Sequence, residues 1–268
     1  MTNEEKLKLD HVNRIKKLRT NLSELKKGQG CVGVKLSTED SGHSWEFIEW
    51  VKNRIIEGIL PLHVKVGGPD AKNDIRTFLR LDAQGVIGPM VESPFGVLKF
   101  VQALETIMGL EVMGQKSVSV NLESITAFEN LEKILEIGEM SQVDRIVVGT
   151  TDLSKSLGQP VSSPRVIEIV TEMCKRSKKY GKTVRLGGVM SMAKGTEGRL
   201  KQLISDASPD EINTRVLAFH VNEIEDLSHA YQRSVRFEAE LNQLWVELNK
   251  QFLDHYGERA SALESSLI

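Results

Sequence analysis

Acidic residues stand at four points where runs of β-branched and apolar residues give out. They are Glu39-Asp40 after CVGVKL, Glu92 after GVIGPMV, Glu123 after VSVNL and Asp152 after RIVVGTT. Taken singly, each has an ordinary explanation. Asp or Ser before a helix is most often an N-cap, so Asp152 could cap a turn at 153–157, Glu92 could begin the helix after Pro94, and Asp40 or Ser44 could cap a helix at 45. Taken together they ask for more. Carboxylates converging on one rim repel one another unless a cation neutralises them. A hard divalent ion with oxygen ligands, Mg²⁺ or Mn²⁺, is the simplest counter-charge.

Other side chains fall at the same strand ends. Lys65 lies in LPLHVKV, where Leu62, Val64 and Val66 alternate with His63 and Lys65. The second set faces either a barrel lumen or, with Lys65 snorkelling, solvent. Asn121, Gly149, Thr150, Thr151, Ser191 and Arg215 complete the polar set. Gly67-Gly68, Gly149 and Gly187-Gly188 either make tight turns or let backbone approach a ligand. GTEGR (195–199) is a weak candidate for a phosphate at a helix start. Nucleophilic catalysis has little support. No GxSxG occurs, the two cysteines lie far apart, and His43 and His63 read as structural.

The elements that must position these residues follow from hydrophobic periodicity. Strand candidates are 31–36, 60–66, 85–91, 118–122, 145–149, 183–188 and 212–219, with helical patterns near 44–57, 71–82, 95–108, 126–138, 163–180 and 195–206. Near-continuous apolar strands alternating with helices predict a parallel sheet covered by helices, and seven regular intervals favour a TIM-type (β/α) barrel. In such a barrel the strand ends listed above share one rim. The one GxGxxG match, GQGCVG (28–33), leads into a strand rather than out of one, against a dinucleotide fold. A helix is expected over 3–27. A long helix is expected over 223–255, with Leu227, Tyr231, Val235, Leu241, Trp245, Leu248 and Phe252 in one stripe interrupted by Glu238. That stripe either packs on the domain or makes an oligomer contact. The expected organisation is a helix at 1–28, a barrel at 29–222 and a C-terminal helix and tail at 223–268.

Composition narrows the classes. At 268 residues, 40% hydrophobic and 27% charged, the chain has ample core. A net charge of −2 gives no basic surface for nucleic acid or anionic membrane. Few cysteines and no apolar leader or membrane-length run predict a cytoplasmic protein.

VNLESITAFENLEKILE followed by VDRIVVGTTDLSKSLG resembles the HpcH/HpaI aldolase and citrate lyase β-subunit family. Leu122-Glu123 matches its "IE" strand end, Asn130-Leu131 its Asn-Leu, and Gly149-x-x-Asp152-Leu153-Ser154 with Gly158 its "GxxDLS…G". GVIGPMVESP and KLSTEDSG resemble two further family segments, and LPLHVKV the strand that carries the family's active-site Arg. The resemblance spans roughly 31–220. It implies a barrel that makes or breaks a carbon–carbon bond beside a 2-oxo acid or thioester, with Glu123 and Asp152 as ligands of Mg²⁺ or a similar ion. Lys65 would stabilise a pyruvate-type enolate or hold a carboxylate. Glu39, Asp40 and Glu92 would shape the site or handle protons, and Asn121, Gly149, Thr150, Thr151 and Arg215 would contact substrate. Three departures stand out. Lys65 replaces the family's Arg and loses its bidentate fork. Asp40 replaces an acid–base His, leaving the base unassigned. One strand of the family pattern is missing, so the barrel has either seven strands or an irregular closure. The expected activity is a metal-dependent aldolase cleaving to a small 2-oxo acid and an aldehyde, in a homo-oligomer. The competing readings are a CoA-thioester lyase or synthase, and a barrel that has lost catalysis and serves as a binding subunit.

Overall fold

A computed structural model describes residues 3–188, 197–249 and 253–266. Eight strands close into one barrel in chain order. They are β1 (Cys31–Ser37), β2 (Leu62–Lys65), β3 (Gly85–Gly88), β4 (Ser117–Leu122), β5 (Arg145–Gly149), β6 (Thr183–Gly187), β7 (Glu211–Asn213) and β8 (Leu217–His220). Neighbours from β1 to β7 are parallel. β8 runs antiparallel to both β7 and β1. The expected single strand at 212–219 is therefore two strands joined by a tight turn, which corrects the count of seven to eight. Closure is irregular because the last strand is reversed. The turn forms without Gly or Pro: Thr214 Oγ1 accepts the Leu217 amide at 2.9 Å, while the Thr214 amide donates to the Leu217 carbonyl at 2.8 Å.

The strands alternate strictly. Val34, Leu36, Leu62, Val64, Val120, Leu122, Ile146, Val148, Val184 and Leu186 are buried in one continuous core, where the surrounding helices meet the barrel. Each such side chain contributes about 1.5–3 kcal/mol through burial. The intervening residues face the lumen and are largely polar, among them Lys35, His63, Lys65, Ser119, Asn121, Arg145, Arg185, Glu211 and Asn213.

The helices are α1 (Asn3–Gly28), α2 (Trp45–Trp50, continued by a π-helical turn at Val51–Ile56), α3 (Lys72–Arg80), α4 (Pro94–Met113), α5 (Ile125–Glu129), α6 (Leu131–Glu136), α7 (Thr150–Ser156), α8 (Pro164–Lys179), α9 (Glu197–Ala207), α10 (Leu227–Leu248) and α11 (Leu253–Ser265). Ser44, Ser93, Ser124 and Ser163 cap α2, α4, α5 and α8 by accepting an amide of the first turn. Ser44 and Ser93, rather than Asp40 and Glu92, are thus the caps. α1 packs Leu18, Leu22 and Leu25 into the core.

The expected continuous helix at 223–255 is instead two helices. α10 ends at Leu248, and α11 turns back along it, with Arg259 paired to Glu238. Val235, Leu241 and Trp245 of the α10 stripe are buried by the chain itself, while Leu248 is exposed. Trp245 lies 5.4 Å from Phe47 and 5.3 Å from Trp50, ring centre to ring centre, so the packing reading of the stripe accounts for Trp245. Phe252 lies outside the described residues. Among the described residues no helix is long and apolar enough to cross a membrane.

Candidate active site

At the C-terminal ends of the parallel strands lies a cavity of about 510 Å³, roofed by Ala262 and Leu263 of α11 and by Ser266 just after it. Glu123 follows β4 and is 3% exposed. Its carboxylate is fixed on both sides: Met90 N–H donates to Oε1 at 3.2 Å and Asn121 Nδ2 to Oε2 at 3.0 Å. It can lie over the end of β5 because residue 149 is glycine, where a Cβ would stand 2.5 Å from Glu123 Oε2. Asp152 sits in the first turn of α7, whose N-cap is Gly149, so the capping reading does not hold. Asp152 lines the cavity and pairs with Lys155 at 2.9 Å.

Lys65 does not snorkel to solvent. It is 2% exposed, with Nζ 2.7 Å from Glu39, 3.5 Å from Glu123 and 3.7 Å from Asp40. Burial is the largest single influence on it and lowers its pKa, but Glu123, Asp40 and Glu39 together outweigh burial and hold it above the ordinary lysine value. Asp40 is the mirror case. Burial would raise its pKa, yet Lys35 and Lys65, with a Ser37 hydrogen bond and Arg215, hold it well below the usual carboxylate range. The loop carrying Glu39 and Asp40 is anchored from α3: Asp74 accepts from Thr38 Oγ1 and from the Gly67 amide, both at 2.7 Å.

Arg215 occupies the tip of the β7–β8 turn and faces the cavity. Its hydrogen-bond partners among the described residues are Ser41 Oγ and the Asp40 carbonyl, each at 3.4 Å. Thr151 and Gly149 also line the cavity. Two expected contacts do not reach it. Thr150 is buried and donates its hydroxyl to the Gly187 carbonyl at 2.8 Å. Glu92 lies outside the cavity lining, and its loop is tied down by Asn130, which donates to the Glu92 carbonyl at 3.0 Å. Gly188 (φ +76°) serves a close approach, since a Cβ there would stand 2.4 Å from Thr151 Oγ1. Ser191 and the start of GTEGR lie outside the described residues.

Below the mouth the lumen is charged. Arg185 donates to Glu211 at 2.7 Å, and Arg145 reaches the same carboxylate at 3.1 Å. His63 fills the space left by Gly85, where a Cβ would stand 2.7 Å from its ring, and burial followed by Arg185 and Arg145 keeps it neutral. His43 accepts the Ser37 amide at 3.2 Å, and burial pushes its pKa down to about 3. Neither histidine is among the residues that line the cavity.

Five charged cavity residues were not among the candidates read from the sequence: Lys35, Lys155, Arg185, Glu238 and Arg259. The alternation that turned Lys65 inward applies equally to Lys35 on β1. Glu238 had announced itself as the charge interrupting the α10 stripe. Among the described residues, six cationic side chains (Lys35, Lys65, Lys155, Arg185, Arg215, Arg259) and four anionic ones (Asp40, Glu123, Asp152, Glu238) line the cavity. The excess of positive charge favours an anionic ligand.

Comparison with known proteins agrees with this architecture. The chain is similar in fold to a HpcH/HpaI aldolase/citrate lyase family protein from Burkholderia cenocepacia J2315, at 16% identity and a TM-score of 0.55, over 72% of this chain and 91% of the other. It is similar to RipC from Yersinia pestis at 16% identity and 0.51, over 74% and 87%. It is also similar to the citrate synthase SbnG at 17% identity and 0.50, over 71% and 96%. No curated protein matches the chain. The family model for HpcH/HpaI aldolase/citrate lyase matches residues 64–202, just over half of the 268 residues. The chain belongs to the HpcH/HpaI aldolase/citrate lyase family.

Proposed function

We propose that the protein is a carbon–carbon lyase that cleaves a 4-hydroxy-2-oxo acid to a pyruvate-type 2-oxo acid and an aldehyde. Membership of an aldolase/citrate lyase family supports lyase-type chemistry. The observation that carries the finer reading is the buried Lys65 ammonium among Glu39, Asp40 and Glu123, at the floor of a cavity with excess positive charge.

A divalent ion fits the donor set. Glu123 and Asp152 offer oxygen donors only, and the buried Asn121 Oδ1 beside them has no hydrogen-bond partner among the described residues. No group of three or more His, Cys, Asp or Glu converges among the described residues. The protein would thus supply two carboxylates, leaving other positions to water and substrate, as Mg²⁺ commonly accepts. Bound there, the ion would supply Lewis acidity to the substrate keto oxygen.

The chain's own groups divide the remaining work. Arg215 holds the substrate carboxylate, replacing from the β7–β8 turn the guanidinium that β2 lacks. Lys65 faces the negative charge that develops as the carbon–carbon bond breaks and its electrons pass into the enolate. Asn121 and the Met90 amide keep Glu123 from rotating. Asp40, held ionised by Lys35 and Lys65, is suited to fixing those ammonium groups rather than to accepting a proton.

Exchange of the pyruvate methyl protons in D₂O, followed by proton NMR with Mg²⁺ or Mn²⁺ present, tests this reading. Exchange by the wild type that falls at least about 100-fold in Glu123→Gln and in Asp152→Asn is expected. Wild-type protein that exchanges neither pyruvate nor a longer 2-oxo acid would overturn it.

A further inference from the structure

The barrel itself leaves the proton unassigned. Asp40 is clamped by two lysines, His43 is neutral and engaged with a backbone amide, and His63 lies below the mouth, outside the cavity lining. The appended helices offer a carboxylate instead. Glu238 of α10 is 3% exposed, lines the cavity and breaks an otherwise apolar stripe. Burying an acid in such a stripe is costly unless a partner compensates. Arg259 of α11 is that partner, and its contact is lopsided. Nε (at 2.9 Å) and Nη2 both donate to Oε1, while Oε2 has no partner among the described residues. One oxygen is clamped and the other is left for the cavity. That is how a base with a fixed orientation is built.

We infer that Glu238, oriented by Arg259, is the proton-transfer residue of the lyase reaction, supplied by the C-terminal helical hairpin rather than by the barrel. The inference rests on the function proposed above. In the cleavage direction, Oε2 accepts the proton of the substrate 4-hydroxyl. The oxygen's electrons form the aldehyde carbonyl, and the carbon–carbon bond pair moves into the enolate. The aldehyde leaves, and the protonated Glu238 returns its proton to the enolate carbon, giving the methyl of pyruvate and restoring the carboxylate. No other reactant is consumed. In this scheme Glu238 is catalytic and Arg259 is a positioning residue.

The surroundings suit the task. Arg259 from α11, Arg215 from the β7–β8 turn and Lys35 from β1 face Glu238, with Tyr231 on the same helix. Burial, the largest influence, raises the Glu238 pKa, and those cations lower it. The balance lies above the ordinary glutamate value, closer to working pH.

The pH profile of aldol cleavage by the full-length enzyme tests the assignment. A general base must be deprotonated, so kcat/KM should fall on the acid side with the Glu238 titration. Glu238→Gln should lose at least about 100-fold in kcat and lose that acid limb, with Glu238→Asp recovering part of both. Arg259→Met removes a cation that favours the carboxylate, so its acid limb should move to higher pH. Unchanged circular dichroism and pyruvate binding in Glu238→Gln would separate a chemical loss from unfolding. A Glu238→Gln enzyme within about threefold of wild type, or one whose acid limb persists and disappears only in Lys35→Met, overturns the assignment while leaving the lyase reading intact. Wild type that cleaves no 4-hydroxy-2-oxo acid overturns both.

Discussion

From β1 to β6 the molecule repeats one device, and from β7 onward it abandons it. In the first region each parallel strand ends at the rim, and its last inward residue or the following loop delivers the chemistry: Lys35, Glu39 and Asp40, Lys65, Asn121 and Glu123, Asp152. In the second region β8 turns round, a three-residue corner replaces a strand–helix loop, and two helices fold back over the mouth. That region delivers Arg215, Glu238 and Arg259. The regular region holds nearly all the candidate metal and enolate groups. The irregular region holds Arg215, Arg259 and the candidate base. On the function proposed above, charge stabilisation falls to the regular region and substrate capture and proton transfer to the irregular one, and the two meet where Arg215 donates to the Asp40 carbonyl.

Substitutions in the regular region should have the larger effects. Lys65→Met leaves Glu39, Asp40 and Glu123 without their shared ammonium. Removing one member of a buried ionic cluster costs about 3–5 kcal/mol, so urea denaturation should show a loss of that size, together with loss of pyruvate proton exchange. A variant as stable as wild type would mean the three carboxylates do not depend on Lys65. Gly149→Ala comes next. Its Cβ would press on Glu123 at 2.5 Å from Oε2. A misplacement of that order costs about 100-fold in rate, at about 1–3 kcal/mol of stability; steady-state kinetics beside thermal unfolding would separate the two.

Arg215→Met probes the irregular region and should act mainly on capture. Losing a charged hydrogen-bond pair worth about 1.5–3 kcal/mol should raise KM for the 2-oxo acid roughly 10- to 100-fold, with kcat within a few-fold. A fall in kcat at constant KM would place Arg215 on the other side of the comparison. The smallest effect concerns pH. The folded-state pKa of Asp40 lies below its ordinary value of 3.8, so its contribution to stability is complete above that value and is lost as pH falls through the lowered one. Asp40→Asn should thus narrow its stability gap to wild type between pH 5 and pH 2 in urea titrations.

The same division marks what the sequence made legible. Strands β1 to β6 were readable because alternating runs such as LHVK and RIVVG are bounded by Gly or Pro, and Glu123 and Asp152 stood out as acids at their ends. The β7–β8 corner was not, because INTRVLAF contains neither Gly nor Pro. Thr214 makes the turn with its own side chain, and Val216 reads as strand. The break at Asn249 was equally silent, since the apolar stripe runs on in register through it. Lys35 was legible in principle by the alternation already applied to Lys65. Glu238 was visible only as an irregularity, because its reason lies in Arg259, twenty-one residues away and on another helix.

The reversed strand also governs the order of assembly. β1 finds its second neighbour only in β8, so one side of the first strand has no partner until residues 217–220 have been made. Loop closure between the first and last strands is the most remote pairing in the barrel and is expected to come late. Until then the edge of CVGVKL is open to strands of other copies. A chain halted before Leu217 should therefore aggregate rather than fold to a smaller barrel.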